Sequence, residues 1–305
     1  HKLNLACRDA KYADLYEETL YNALLGAIDL EGATFNYTNP LVDGRRTRWH
    51  ACPCCVGNIP RTLLMIPTWT YAKDRNSIYV NLFLGSEITV PNVAGTDVKM
   101  VQKTEYPWDG AVAITVNPAK PARFSLFIRV PDRNTSRLSS GIPAVHGLES
   151  LKLNGNALPP QIEKGYAIIE RDWQAGDTIE LRLPMKIQRV KADHRIEADR
   201  GRVALRYGPL IYSVERIDQP DLNKVLSSSQ LAAEWRPDIL QGVTVIKGTW
   251  NDGSPMLAIP YYARLNRTPD QAGTERQVSQ TSATPNSPQV QNTNTSASSG
   301  PQAGP

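Results

Sequence analysis

Residues 77–84 read SIYVNLFL, and at this point the hydrophobic spacing changes from helical to alternating. Similar runs follow between turn residues: GSEITV (85–90), GAVAITVN (110–117), RFSLFIRVP (123–131), GYAIIERDW (165–173) and DTIELRLPM (177–185). Several short alternating strands at regular spacing are typical of antiparallel sandwiches. We therefore predict an antiparallel β-sandwich over residues 77–190.

The alternating pattern continues beyond this predicted sandwich. Its further strand-like runs are RVALRYGPLIYSVE (202–215), which holds two strands around Gly208-Pro209, VTVIKGTW (243–250) and PMLAIPYYARL (255–265). These runs predict a second, small β domain over residues 191–267.

The region before residue 77 has helical spacing instead. It predicts a helix over residues 9–30, with Asp9 as its N-cap and an end near Gly26 or Leu30. A second helix is predicted over residues 58–69. The chain is therefore mixed α and β, with several domains.

Composition and charge exclude several classes of protein. The net charge is +4, and the basic residues form no stripe with interleaved aromatics of the kind that binds nucleic acid. No apolar run is long enough to span a bilayer. Residues 268–305 are rich in Ser, Thr, Asn, Gln and Pro, with few apolar side chains, and we predict a disordered tail there. We expect neither a nucleic-acid partner nor a membrane partner.

The cysteines are concentrated in one short segment. Cys52, Cys54 and Cys55 stand within ACPCCVGN (51–58), whereas Cys7 is separate. Clustered thiols indicate a metal site or a reactive thiolate, and small buried core residues are the alternative. A thiolate zinc site normally has four ligands, so His50, Cys7 or a carboxylate would have to add to those in the cluster.

Two further residues are candidates for acid–base chemistry or substrate contact. Glu17 lies on the first predicted helix, and Tyr37 lies in FNYTNPL (35–41). A glutamate at such a position also fits a solvated helix face, and the tyrosine also fits a packed aromatic. The residues alone leave both pairs of alternatives open.

Two long motifs carry a family resemblance. ADLYEETLYNALLGAIDLEGATFNYTNPL (13–41), followed by RWHACPCCVGNIPRTL (48–63), resembles glycoside hydrolase family 127, formerly a domain of unknown function. The later runs DTIELRLPM, GRVALRYGPLIYSVE and AIPYYARLNR are similar to the family's β domains. The resemblance implies the C-terminal end of an (α/α)6 barrel over residues 1–76, followed by antiparallel β-sandwich domains.

The resemblance also implies a site and a reaction. Members resemble β-L-arabinofuranosidases, which implies an L-arabinofuranoside-containing glycan as substrate and retaining hydrolysis. On the matching positions, Cys54 would be a zinc-bound nucleophile and Cys55 a second zinc ligand. Glu17 and Tyr37 match active-site residues that contact sugar or position the thiol, and Cys52 falls outside the ligand set. Zinc would keep the nucleophile a thiolate at neutral pH.

The sequence departs from the family pattern in one respect. The Glu-x-Cys pair that supplies two more zinc ligands, and the acid/base glutamate, are expected upstream of the first helix and are absent. We therefore expect a C-terminal fragment that binds zinc poorly and is inactive by itself. The alternatives are a non-catalytic carbohydrate-binding β-sandwich protein and a structural zinc or redox cysteine protein. Oligomeric state is left open, as is location, for which a bacterial cytoplasm or periplasm is the expectation.

Overall fold

The computed structural model describes residues 1–36, 46–48, 57–134, 136–267, 274–275 and 277–279, the last two ranges by their backbone alone. Its helical region comprises α1 (Lys2–Cys7), α2 (Lys11–Glu18), a π-helical turn (Thr19–Leu24), a 3₁₀ turn (Leu25–Ala27) and α3 (Asn58–Thr70). The predicted second helix, residues 58–69, is confirmed as α3. Within the described ranges, no helix has the length and apolar character needed to cross a membrane.

The predicted helix over residues 9–30 forms in pieces. The N-cap of α2 is Ala10 rather than the predicted Asp9, and it makes no side-chain cap hydrogen bond. The Asp9 carboxylate lies one position earlier and accepts the Lys11 backbone N–H at 3.0 Å. The winding then becomes π-helical over Thr19–Leu24 and 3₁₀ over Leu25–Ala27, where the helical path ends. Hydrophobic spacing does not distinguish these windings, and π-turns inside helices frequently occur at functional sites.

The strands begin at residue 34 and continue to residue 279. In chain order they are β1 (Thr34–Phe35), β2 (Thr47–Arg48), β3 (Tyr71–Lys73), β4 (Ser77–Val80), β5 (Ser86–Val93), β6 (Thr96–Thr104), β7 (Ala111–Pro118), β8 (Ala122–Arg129), β9 (Ser139–Ile142), β10 (Ser150–Leu153), β11 (Asn156–Ala157), β12 (Gln161–Glu163), β13 (Tyr166–Trp173), β14 (Asp177–Arg182), β15 (Ile187–Ala192), β16 (Arg202–Tyr207), β17 (Leu210–Glu215), β18 (Ala232–Arg236), β19 (Val243–Thr249), β20 (Pro255–Pro260), β21 (Thr274–Glu275) and β22 (Gln277–Ser279). Each strand-like run quoted above overlaps at least one of them.

Two sheets share one apolar core and form a sandwich. One sheet has six strands in the order β11-β10-β14-β7-β6-β5, and the other has five in the order β12-β13-β8-β4-β3. The core between them includes Ile78, Met100, Ile114, Leu126 and Trp173, each fully buried. One pair differs from the antiparallel prediction, because β4 and β8 run parallel. The chain crosses the other sheet three times between them, as β5, β6 and β7, and so returns in its original direction.

The third large sheet is antiparallel throughout and has nine strands. Its main path is β18-β19-β20-β17-β16-β15-β9. The last two of these strands extend it into the range predicted for the sandwich, since β15 begins at Ile187 and β9 is Ser139–Ile142. The β region predicted as small therefore contains the largest sheet of the described chain, and a distant excursion from the sandwich adds one strand, β9, to its edge.

Part of the tail predicted to be disordered pairs with this sheet. Residues 274–275 pair with β17 and residues 277–279 pair with β16, both antiparallel. The disorder predicted from residue 268 onward is therefore wrong for these residues. Strand addition satisfies backbone N–H and C=O groups and needs no apolar side chains, so composition alone does not reveal it.

Candidate functional site

Most of the predicted site residues lie outside the described residues, namely Tyr37, His50, Cys52, Cys54 and Cys55. Cys7 is described and lies exposed at the end of α1. Within the described ranges, no group of three or more His, Cys, Asp or Glu could hold a metal ion. The predicted zinc site therefore depends on residues beyond those ranges, and Glu17 is the predicted site residue whose surroundings the structure defines.

Glu17 lies in α2 and faces the sandwich. Its Oε1 accepts a hydrogen bond from Nη2 of Arg129, and its Oε2 accepts one from Nη2 of Arg133 at 2.6 Å. The Tyr106 hydroxyl donates to the same Oε2 at 3.2 Å. The residue is only 1% exposed, so the alternative of a solvated helix face is wrong.

Asp14 lies one helical turn earlier on the same face of α2, because residues three apart are neighbours on a helix. Its Oδ1 accepts from Nη1 of Arg129 at 2.6 Å, and its Oδ2 accepts from the Asp132 backbone N–H at 3.2 Å. Nε of Arg129 donates to the Asn81 carbonyl at 2.5 Å, so every nitrogen of this guanidinium has a partner. Asp14, Glu17, Arg129 and Arg133 together form what we call the carboxylate–arginine cluster.

The two carboxylates of the cluster have opposite pKa shifts. Burial favours the neutral form of Glu17, but Arg129 and Arg133 together outweigh it and hold the pKa of Glu17 below its usual range. For Asp14 burial is the dominant influence, and its pKa is raised despite the same two arginines. Glu17, with two arginines on its oxygens, is therefore the more firmly ionised carboxylate.

These contacts limit the chemistry open to Glu17. An ionised carboxylate with both oxygens already bonded to protein is a poor general acid at neutral pH. Its described contacts join α2 to the end of β8 and the loop that follows. The arrangement suits a residue that fixes the position of the helix.

A second set of contacts joins the helical region to the nine-stranded sheet. In the π-helical turn, Nδ2 of Asn22 donates to the Pro209 carbonyl at 2.8 Å, and its Oδ1 accepts from the Ile211 N–H at 2.7 Å. The Asn22 side chain thus both donates to and accepts from the backbone at the turn between β16 and β17, as the backbone of a neighbouring strand would. Unlike the carboxylate–arginine cluster, this contact joins only uncharged groups.

An open cavity lies where the helical region meets the C-terminal sheet. Its volume is about 950 Å³, and its lining comes from the loop after the 3₁₀ turn, from β2 and from two loops of the C-terminal sheet: Asp29, Leu30, Glu31, Ala33, Thr34, Arg46, Arg48, Leu240, Gln241, Leu265 and Asn266. Thr34 and Arg46 of this lining stand on either side of residues 37–45, which lie outside the described residues.

Sequence reasoning missed the arginines and the tyrosine of the Glu17 site. Arg129 ends an alternating run and points away from the apolar core, a position that ordinarily faces water. Arg133 and Tyr106 lie in loops and belong to no motif. The signal was weak because Arg129 and Arg133 acquire their partner in α2 only through tertiary contacts, and Tyr106 is buried in the sandwich core as well.

Comparison with known proteins matches the chain to three domain models of one family. The models are the β-L-arabinofuranosidase GH127 catalytic domain at residues 1–68, the GH127 middle domain at residues 77–185, and the glycoside hydrolase family 127 C-terminal domain at residues 187–273. The first range includes Cys54 and Cys55.

Individual relatives agree with these models. The non-reducing end β-L-arabinofuranosidase of Bifidobacterium longum subsp. longum is 28% identical over 261 residues, which is 77% of this chain and 37% of that protein. A GH127 β-L-arabinofuranosidase structure from Geobacillus stearothermophilus T6 superposes with a TM-score of 0.80 at 33% identity, over 91% of this chain and 47% of that one. A second solved structure, a GH127 β-arabinofuranosidase, has a TM-score of 0.83 at 29% identity over the same shares.

The chain thus spans less than half the length of each of these relatives. Over that length it has the three domain matches in sequence order, and the solved relatives share its fold. The chain belongs to glycoside hydrolase family 127.

Proposed function

We propose that the protein acts as a retaining glycoside hydrolase on β-L-arabinofuranosides, with the thiolate of Cys54 as nucleophile. The observation that carries the proposal is the match of residues 1–68 to the family's catalytic domain, which takes in the C-P-C-C segment. The substrate class follows from the names of the relatives, each of which is an arabinofuranosidase.

We further propose that α1, α2 and α3 belong to the end of an (α/α)6 barrel. All three lie in the range of the catalytic-domain model. Apolar side chains on these helices are exposed, including Leu3 at 57%, Leu15 at 65% and Leu64 at 81%. Helices that form one layer of a barrel need such apolar faces for their neighbours.

The predicted ligands in this chain are of the kind that zinc prefers, but they are too few to complete a zinc site. Adjacent thiolates at Cys54 and Cys55 are soft ligands that suit zinc, which normally takes four. Bound zinc would keep the Cys54 sulfur ionised at neutral pH. The two cysteines amount to half of a ligand set, and we propose that they contribute that half.

The proposed reaction has two displacements at one carbon. The Cys54 sulfur attacks the anomeric carbon while the bond to the leaving oxygen breaks, and that oxygen takes a proton from the acid/base glutamate that the family pattern implies and this chain lacks. Water then gives a proton to the same glutamate, attacks the same carbon and releases the sulfur, so the product keeps the original configuration. We propose that Tyr37 contacts the sugar or the thiol, and that Glu17 acts as a positioning residue through the carboxylate–arginine cluster.

Hydrolysis of 4-nitrophenyl β-L-arabinofuranoside by the natural full-length protein tests the proposal, because this chain lacks the expected acid/base glutamate and two of the zinc ligands and we propose that it is inactive by itself. Cys54→Ser should lower kcat by about a thousandfold or more, because a hydroxyl at this position is not ionised at neutral pH. Cys7→Ser is the matched control, since Cys7 is an exposed thiol away from the motif, and it should leave kcat unchanged. Zinc content is measured on the same samples and should fall in a Cys54→Ser, Cys55→Ser double variant.

Two results would overturn the proposal. Equal hydrolysis by the native protein and Cys54→Ser would exclude the cysteine nucleophile. A native protein that binds arabinose-containing glycans without cleaving them would instead support a carbohydrate-binding role. Proton NMR of the first product anomer decides between retention and inversion.

A further inference from the structure

The segment that carries the predicted cysteines is anchored at a short two-stranded sheet. Thr34 pairs with Arg48, and Phe35 pairs with Thr47. Tyr37 lies two positions after β1, and Cys54 lies six positions after β2. The position of this small sheet therefore sets where the chain departs towards both predicted site residues.

Arg46 immediately precedes β2 and binds backbone carbonyls on two sides. Its Nη1 donates to the Arg264 carbonyl at 2.8 Å, and its Nη2 donates to the carbonyls of Gly26 at 3.1 Å and Tyr262 at 3.3 Å. Arg46 is half-buried, and this burial lowers the pKa of its guanidinium. Its described hydrogen bonds all go to backbone oxygens, so they depend on the geometry of the planar fork.

Arg264, from the C-terminal sheet domain, reaches the same carbonyl from the other side. Its Nη1 donates to the Gly26 oxygen at 2.7 Å. Gly26 lies in the 3₁₀ turn that closes the helical region, where backbone carbonyls lack helical partners. A Cβ at Gly26 would lie 3.0 Å from both Nη1 of Arg264 and the Tyr261 ring, so the absence of a side chain permits this approach. We call Arg46, Arg264 and the Gly26 carbonyl the carbonyl clamp.

A neighbouring contact extends the connection to the same domain. The Leu30 backbone N–H donates to Oδ1 of Asn266 at 2.8 Å, so the loop between Gly26 and β1 is also held by the C-terminal domain. Three points on the path to β1 and β2 are thus tied to residues 262–266.

We propose that Arg46 is a positioning residue for the cysteine segment, and that the C-terminal domain takes part in the active site through the carbonyl clamp. The inference rests on the proposed function only in its choice of Cys54 as the residue being positioned. It assigns a catalytic purpose to a domain that contributes none of the predicted site residues.

The experiment compares Arg46→Met, Arg46→Lys and Arg189→Met in the native protein. Arg189 is the matched control because it also binds two backbone carbonyls, those of Ser227 at 2.8 Å and Ser229 at 2.9 Å, and neither it nor these partners flank the cysteine segment in the chain. Iodoacetamide alkylation of Cys54 is followed by peptide mass spectrometry relative to Cys7 in the same molecule. Thermal unfolding is recorded so that every variant is compared in its folded state.

We expect Arg46→Met to raise the alkylation rate of Cys54 relative to Cys7 about fivefold, because β1 and β2, which flank the predicted site residues in the chain, are held less firmly once the contacts of Arg46 are lost. Arg46→Lys should fall between this variant and the native protein, since an ammonium reaches fewer of the three carbonyls. Arg189→Met should leave the ratio unchanged. If Arg46→Met does not fold, the comparison of Arg46→Lys with Arg189→Met carries the same test.

An unchanged Cys54 ratio in the Arg46 variants would overturn the inference, as would an equal rise in Arg189→Met. Neither result depends on hydrolysis. Conversely, full hydrolysis by Cys54→Ser would overturn the proposed function without altering the alkylation ratios, so the two failures are distinguishable.

Discussion

The helical region is held on two sides by different chemistry. Against the sandwich, Asp14 and Glu17 pair with buried arginines, and the side chain of Arg129 is 0% exposed. Against the nine-stranded sheet, Asn22 and the carbonyl clamp bind backbone groups, with no carboxylate among the hydrogen-bond partners given above.

The difference decides how each interface fails. A buried ion pair is stable only while both partners are present and ionised, because a single buried charge is very costly. A contact between a side chain and a backbone carbonyl depends on distance and orientation, and the carbonyl does not titrate. The sandwich interface should therefore respond strongly to charge removal and to acid, and the C-terminal interface to small changes of shape.

The largest effect is expected for Arg129→Met. It leaves both buried carboxylates without their shared partner, and we expect the free energy of unfolding to fall by about 3–5 kcal/mol. Arg123→Met is the control on the same strand, because its side chain is 61% exposed and its ion pairs face solvent. The control should lose less than about 1 kcal/mol in urea denaturation. Equal losses would show that the cluster does not hold the interface.

Glu17→Gln should cost about 2–4 kcal/mol at neutral pH, since two buried guanidinium groups lose their charged acceptor. The pKa of Glu17 is lowered on folding, so its contribution is present above the unfolded pKa and is lost as the pH falls through the folded one. The stability gap between the native protein and this variant should therefore narrow below about pH 4.

Denaturation at several pH values checks this, with Glu170→Gln as the control because its side chain is 55% exposed. Asp14 contributes with the opposite sign, since its pKa is raised, but it is present in both proteins. A gap that is independent of pH would contradict the assignment of Glu17 as the ionised partner.

Asn22→Ala tests the uncharged interface. It leaves the Pro209 carbonyl and the Ile211 N–H without their partner, and we expect a loss of about 2 kcal/mol with little dependence on acid. Faster hydrogen exchange at the Ile211 amide would locate the effect. Asn156→Ala, exposed at the start of β11, is the control and should change stability by less than about 0.5 kcal/mol. No change in exchange at Ile211 would contradict the contact.

The smallest effect is expected for Gly26→Ala. The new methyl group meets Arg264 and Tyr261 at 3.0 Å, so both must shift, and we expect a loss of about 1 kcal/mol. Gly85→Ala is the control because nothing lies within 4 Å of its Cβ position. A higher free energy of unfolding in Gly26→Ala would show that the carbonyl clamp can accommodate a methyl group. That result would weaken the argument that the clamp positions its neighbours.

Local pattern was sufficient for much of the β structure. Alternation predicted the strands in 165–173 and 177–185, because one face of each is buried in the sandwich core. It missed β9, which is short and pairs with β15 across a long stretch of sequence. It also placed the end of ordered structure at residue 268, where backbone pairing continues.

The candidate site divides in the same way. Residue types and spacing singled out Glu17, Tyr37, Cys54 and Cys55, and the family that they suggested is the one to which the chain belongs. The structure then showed which side chains surround Glu17, and its arginine and tyrosine partners belong to no motif that the sequence analysis had singled out. The roles of Tyr37, Cys54 and Cys55 stay predictions.

By itself the sequence determined the family, the order of helical and β regions, and the residues that bear reactive groups. These follow from periodicity and from side-chain chemistry, which are local properties of the chain. Only the tertiary structure decided which charged side chains are buried and which backbone carbonyls accept hydrogen bonds from arginine. Burial of Arg129 requires α2 to cover β8. The hydrogen bond from Arg264 to the Gly26 carbonyl requires residues more than two hundred positions apart to meet.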